Sequence, residues 1–280
     1  TYPNVYPLTG NFNRPGDSAY VNPAFEGDGA GIEFTGFYTS EVSGRNRFSV
    51  ISNNILYDNM IGARLEEETT NVTVNSNVCI NNNMHGIFVF SSSYNQVSSN
   101  VCTGNGFNGI HVEKLTGRLV PELNTITGNT CTKNNGFGIA LYGARRNIIT
   151  SNNVSDNNVN TNVIGGGIGL HYTDDTASER NLITNNNMVA YNGLDQYGVY
   201  TDNTANAGNK ISDNMFEGQR IAMTNVDRIN NRVNDNSGFV TERFGQTSIA
   251  PGSTSVQVIH GLSIPPYNGE LQLTPSSPIV

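Results

Sequence analysis

The sequence predicts an all-β fold: a right-handed parallel β-helix, a three-sided solenoid of about eight coils, followed by a small C-terminal antiparallel β-module. Three observations carry this. A Gly-apolar-x-apolar phrase recurs at Gly31, Gly62, Gly86, Gly109, Gly138, Gly167 and Gly198, at intervals of 24, 23, 29, 29 and 31 residues from Gly62 onward. Each phrase leads into an Asn-led strand, as in Asn71-Val-Thr-Val, Asn124-Thr-Ile and Asn181-Leu-Ile, and then into a third, as in Ser76-Asn-Val-Cys and Gly128-Asn-Thr-Cys. Asparagine outnumbers even the 30 glycines, and only 14% of residues are charged. Short polar side chains that tolerate tight turns suit many short strands rather than helices.

The pattern sets the boundaries. Residues 1–30 form an N-terminal extension or incomplete first coil, 31–237 the helix, and 238–280 the C-terminal module, because the Asn-led repeat stops near Ser237. Equivalent inward positions of stacked coils align into files. The third strands give one such file: Ile55, Cys79, Cys102, Cys131, Val154, Met188 and Met215. The three cysteines then read as free thiols packed as small apolar groups, since their spacing fits no zinc or redox motif. Turn asparagines such as Asn105, Asn134, Asn157 and Asn192 are expected to satisfy one another's amides along the rod.

Charge narrows the partners. A net charge of −8 and a pI near 4.9, with no basic stripe, argue against nucleic acid. No apolar run is long enough to cross a bilayer, and residues 1–20 lack a signal-peptide layout. An extracellular or virion-associated setting is expected. No cofactor is implied; no motif indicates calcium, although Asp174 and Asp175 could serve a cation as well as cap a loop.

In a strand, alternate side chains face outward. The first sheet then presents Glu33 and Thr35, Arg64 and Glu66, Phe88 and Phe90, His111 and Glu113, Ala140 and Tyr142, Gly169 and His171, then Tyr200 and Asp202. Rings beside titratable and hydrogen-bonding groups suit a sugar, which offers apolar faces and polar edges. Loop lengths add a second pointer. The turn after Gly109 swells over 113–123 and that after Gly167 over 171–180, whereas the one between them, 143–146, is short. Two long loops flanking a low coil predict a cleft, with Tyr142, Arg145 and Arg146 at its floor, Lys114 on one wall, and Tyr172, Asp174 and Asp175 on the other.

The expected ligand is a polysaccharide, bound and cleaved along this face. Candidate catalytic residues are His111, His171, Tyr142, Glu113, Asp174 and Asp175. Candidate binding residues are Arg145, Arg146, Lys114, Phe88, Phe90, Tyr172, Tyr200, Arg64 and Glu66. Elimination would use a cation to neutralise a uronate carboxylate and a His or Tyr to move the proton, whereas hydrolysis would use two carboxylates. The residues leave both open, beside a non-catalytic adhesion rod. Phe88 and Phe90, read as exposed, together with the apolar C-terminal end, suggest a homotrimer.

From about Gly31 to Asn225 the chain resembles the catalytic β-helix modules of mannuronan C5-epimerases, within the pectin-lyase-like class. The runs Asn83-Met-His-Gly-Ile-Phe-Val-Phe, Asn105-Gly-Phe-Asn-Gly-Ile-His-Val-Glu-Lys and Gly143-Ala-Arg-Arg-Asn carry the likeness. That resemblance implies a uronan-acting β-helix. The family's aromatic-Gly-Phe-Asp-Pro-His-Glu signature has its nearest counterpart in Gly36-Phe37-Tyr38-Thr39-Ser40-Glu41, where Tyr38 and Ser40 replace the acid and the imidazole. Only Glu66, at the later acid's place, carries over, so the resemblance implies a divergent epimerase at most. The stretch from Ile249 resembles β-modules that end bacteriophage tail-fibre and spike proteins.

Overall fold

A computed structural model describes residues 29–35, 46–159, 164–173, 175–191, 197–224, 226 and 230–238, and the backbone of 4–5, 37–38 and 43–44. The C-terminal module, Asp174 and Asn192 lie outside the described residues. Three sheets of stacked parallel strands make a right-handed parallel β-helix, as the repeat predicts. The first runs through Ala30–Thr35, Ile61–Glu66, Ile87–Phe90, Ile110–Glu113, Phe137–Tyr142, Gly166–His171, Tyr197–Thr201 and Ile221–Thr224, with Asn4–Val5 antiparallel on its first edge. The second has eight strands, from Val50–Ser52 to Arg232–Asn234, and the third seven, from Ile55–Tyr57 to Met215–Glu217.

The turns explain the composition. Between the second and third sheets a residue in the left-handed region begins each turn: Asn53, Ser76, Ser99, Gly128, Ser151, Asn185, Asp213 and Asp235, all with φ between 54° and 64°. The next residue is asparagine on every coil. Asn54, Asn77, Asn100, Asn129, Asn152, Asn186, Asn214 and Asn236 form one continuous ladder, each Nδ2 donating to the next Oδ1 at 2.9–3.0 Å. Asn59, Asn82, Asn105, Asn134 and Asn157 make a second ladder. Asn124, Asn147, Asn181, Asn209 and Asn231 make a third. Backbone amides donate to the same carbonyl oxygens, so corners that would bury unpaired groups are satisfied from within.

The core is a single apolar column with the three thiols in file. Cys79, Cys102 and Cys131 are in register, fully buried and unpaired by disulfide. The ends of this file differ from the sequence expectation. Leu56 and Phe216 fill it, while Ile55 and Met215 point outward, 76% and 41% exposed. Register is counted from the left-handed residue and not from the preceding serine. Asn53 and Asp213 hold the turn position there, one residue later than a Ser-to-Ser alignment places it. The repeated glycine of each phrase answers a steric need: a Cβ at Gly86 or Gly109 would lie 2.7 Å from the glycine carbonyl of the next coil.

Candidate functional site

Alternation on the first sheet holds. Register places Phe88, His111, Ala140, Gly169 and Tyr200 in one outward column, and Glu66, Phe90, Glu113, Tyr142 and His171 in the next. His111 and His171 therefore occupy different columns two coils apart. Small residues fill the gap beside them: Ala140 is fully buried, and a Cβ at Gly169 would lie 2.7 Å from His171 Nε2 and 3.1 Å from the Phe137 ring. That room lets the rings lean across the sheet. Tyr142 stacks on His171 at 4.0 Å between centroids with 8° between planes, and on His111 at 4.7 Å and 25°. His85, from the corner before Gly86, extends the stack, 4.2 Å from His111. The alternation of a strand could not reveal His85, because a corner residue obeys no such pattern.

A carboxylate holds an imidazole on either side of Tyr142. On one side Asp202 Oδ2 lies 3.1 Å from His171 Nδ1, while its Oδ1 accepts from the Tyr172 backbone N–H and from Asn206 Nδ2. Burial opposes the charge of Asp202, but the His171 bond and these N–H donors outweigh it and hold its carboxyl below the usual range. His171 Nε2 is buried and has no hydrogen-bond partner among the described residues. On the other side His111 Nε2 lies 3.0 Å from Glu113 Oε2. Burial, then the neighbouring His171, pushes the His111 imidazole down to about 3, and burial raises Glu113 despite the pull of His85. Burial foremost, then the charges of Glu113 and Asp202, raises the Tyr142 phenol, so it stays protonated through the neutral range.

The rest of the expected site is arranged differently. Phe88 is only 8% exposed and packs with Ala30 and Ile61 as a satellite core; Phe90 is half-buried against them. Their burial removes the exposed rings on which a chain-to-chain contact was argued. Among the described residues, the two long loops meet at Lys114. The Lys114 ammonium reaches across to Asp175, 2.5 and 2.6 Å from its two oxygens, and holds that carboxyl down. Thr173 and Thr176 of the second loop lie over Gly143, where a Cβ would meet Thr173 Oγ1 at 2.6 Å. Loop length alone carries no sign of this closure. Arg145 Nε is 3.2 Å from Glu179, an ion-pair contact outside hydrogen-bond geometry, and Arg146 is 3.3 Å from Glu122. Both stand at the corner beyond the first sheet, where Arg145 is in register with Glu122 and Glu179 of the neighbouring coils. Arg64 pairs with the buried Glu66 at 2.6 Å, and Tyr200 packs on Phe137 and His171. Tyr172 lies at the rim, 37% exposed.

These features define a parallel β-helix carrying a strip of buried imidazoles, a half-buried phenol and partly exposed carboxylates on one sheet. Within that class the chain belongs to the family described as NosD, periplasmic copper-binding protein, whose model matches residues 21–178. No curated protein matches the sequence. Among solved structures, the A-modules of the Azotobacter vinelandii mannuronan C-5 epimerases AlgE4 and AlgE6 are similar at 19% and 18% identity, with TM-scores of 0.57 and 0.59. Each likeness covers 69% of this chain, and 54% or 55% of the other. The catalytic unit of a GH87 alpha-1,3-glucanase from Streptomyces thermodiastaticus strain HF3-3 is similar at 18% identity and TM-score 0.56, over 70% of this chain and 38% of that one. The chain thus spans about half the length of the epimerase modules. At such identities the likeness establishes the fold.

The family's name raises copper, and the donors among the described residues do not fit it. Among the described residues no three His, Cys, Asp or Glu side chains converge on a point that could hold a metal ion. Both nitrogens of His111 are engaged, by Asn108 and Glu113, and the thiols lie inside the apolar column.

Proposed function

We propose that this chain acts on a polysaccharide laid along its first sheet, by transferring protons at a ring carbon as a lyase or an epimerase does. His171 is the base and Tyr142 the proton donor. One observation carries the reading: His171 is oriented through Nδ1 by a low-pKa carboxylate, stacks on a protonated phenol, and keeps Nε2 unpartnered. An aspartate on Nδ1 places the imidazole proton there, which leaves the Nε2 lone pair as a base. The Tyr142 phenol, whose ring stacks on the imidazole with 4.0 Å between centroids, supplies a proton without needing a second carboxylate. Hydrolysis by the two carboxylates of the strip is disfavoured. Glu113 and Asp202 are three coils apart, about 14 Å at the spacing of neighbouring strands. The interval is filled by three rings, where paired glycosidase carboxylates need a gap of about 5–10 Å for sugar and water. The cation for a uronate carboxylate would be Lys114, which would leave Asp175 to take it. The likeness to epimerase A-modules supports the same substrate class.

A panel of uronan and neutral glycans, scored for unsaturated products and for solvent deuterium at ring carbons, tests this. His171→Ala and Tyr142→Phe should each lower turnover by roughly 10²–10⁴-fold with the fold intact. New reducing ends without unsaturation or deuterium would overturn the reading. A binding-only rod is the second reading, favoured by the covering of His171, which is 7% exposed. It predicts affinity with no turnover, lost on removing Tyr142 and not on removing His171.

A further inference from the structure

Asn108 sits in the turn before Ile110–Glu113, fully buried, and both ends of its amide are engaged. The backbone N–H of Phe137, at the start of the next coil's strand, donates to Asn108 Oδ1 at 2.8 Å. That bond fixes which way the amide faces, because an N–H can only meet the oxygen. Asn108 Nδ2 is therefore the atom 2.6 Å from His111 Nδ1. An amide nitrogen only donates, so His111 Nδ1 must accept, and the single proton of the neutral ring is on Nε2. Nε2 lies 3.0 Å from Glu113 Oε2, so the N–H donates to that carboxyl. The sequence of bonds runs one way: Phe137 N–H to Asn108, Asn108 to His111, His111 to Glu113.

We propose that Asn108 is a positioning residue of the proton-transfer site, which holds His111 neutral with its proton on Nε2 and so keeps Glu113 a basic carboxylate at the surface of the strip. The assignment rests on the proton-transfer reading for its use, and on the hydrogen bonds for its existence. A neutral donor orients Glu113 without placing a positive charge beside it. An imidazolium in the same place would lower the carboxyl's proton affinity sharply. The other groups around Glu113 do not supply such a charge. Tyr142 is its register partner and stays protonated, Phe90 on the other side is apolar, and the next residue, Lys114, is held by Asp175. His85 can pull on Glu113 only when protonated, and burial first, then His111, pushes its imidazole well below the usual value. The side chain of Glu113 is 35% exposed, so it can meet a ligand. The arrangement mirrors the other side of Tyr142. There a carboxylate fixes His171 as a base, whereas here an amide fixes His111 as a donor.

Asn108→Asp is isosteric. It keeps an acceptor for the Phe137 N–H and reverses only the partner of Nδ1. Imidazole ¹⁵N shifts of the wild-type chain should show His111 at neutral pH with Nδ1 unprotonated and Nε2 protonated. In the Asp variant Nδ1 should gain a proton, and the ¹³C titration of the Glu113 carboxyl should move to lower pH. Glu113 meets the ligand as a carboxylate beside the His171–Tyr142 pair, so on any glycan the protein turns over, the acid limb of the pH profile should move down with it. A wild-type His111 that carries its proton on Nδ1 overturns the assignment, and does so even if the variant fails to fold. An Asp variant with unchanged His111 and Glu113 signals also overturns it. Shifted signals with an unmoved pH profile would overturn the catalytic use of Asn108. Shifted signals with no glycan turned over by either protein would refute the proton-transfer reading and leave the His111 lock standing.

Discussion

Buried imidazoles make this sheet sensitive to acid. His111 has a folded value near 3 against 6.5 when unfolded, and His85 is also pushed well below 6.5 by burial first and then by His111. A depressed value means that the unfolded chain binds the proton first. Stability is therefore fully present above about pH 6.5 and is lost as pH falls from there toward 3. His111→Phe should flatten that part of the stability–pH curve, measured by denaturant midpoints between pH 7 and 4. A variant whose curve keeps the wild-type slope would show that the acid response arises elsewhere. At this scale the sequence told much. Strand alternation placed His111, Glu113, Tyr142 and His171 outward, and they do share the strip. It could not tell that outward would mean covered. That depends on Ala140 and Gly169 being small enough for rings to lean over them, and on His85 and Asn108 entering from corners.

At the scale of the strand and turn, the asparagine ladders hold the corners together. Asn129 is 1% exposed; its side chain donates to Asn152 Oδ1 and to the carbonyls of Val97 and Thr127, and accepts from the Asn100 amide and side chain. Asn129→Leu would strand buried donors and acceptors on both neighbouring coils, each costing about 1–3 kcal/mol. Urea denaturation should show a loss of several kcal/mol. Lys133→Ala, on an exposed turn of the same coil, should stay within about 0.5 kcal/mol. Equal losses in both would mean that the ladder contributes nothing specific. The repeat made the ladders legible, since an asparagine follows each left-handed turn. The slip at Ile55 and Met215 shows the limit. Ser, Asn and Asp all tolerate a left-handed φ, so the letters alone do not say which of two adjacent polar residues makes the turn. The closing of the expected cleft was likewise illegible, because loop length does not encode the Lys114–Asp175 pair that joins the loops.

The whole molecule is quasi-one-dimensional: each coil pairs only with the coils before and after it, so stability is close to a sum of coil and interface contributions. That architecture makes the damage from a core charge depend on position along the rod. Cys131 is mid-stack and fully buried, with Cys102 and Val154 as its neighbours. Val233 lies in the last described strand of the second sheet and pairs on one side with Ile211. An aspartate at either site buries a carboxyl in an apolar column, where it must either lose its charge or open the structure around it. At Cys131 opening separates coils on both sides, including the Gly109 and Gly138 coils that carry His111 and Tyr142. At Val233 it frees only the terminal coils. Hydrogen exchange followed strand by strand should therefore show Val233→Asp raising exchange in Lys210–Ser212 and Arg232–Asn234, with Thr125–Thr127 and Ile148–Thr150 still protected. Cys131→Asp should raise exchange throughout the central strands. A uniform rise in both variants would mean that the rod unfolds as one cooperative block, with the interfaces between coils too strong for local opening. In that case the strip on the first sheet would share one stability with the Asn-laddered corners, and no core change could loosen one end while sparing the site.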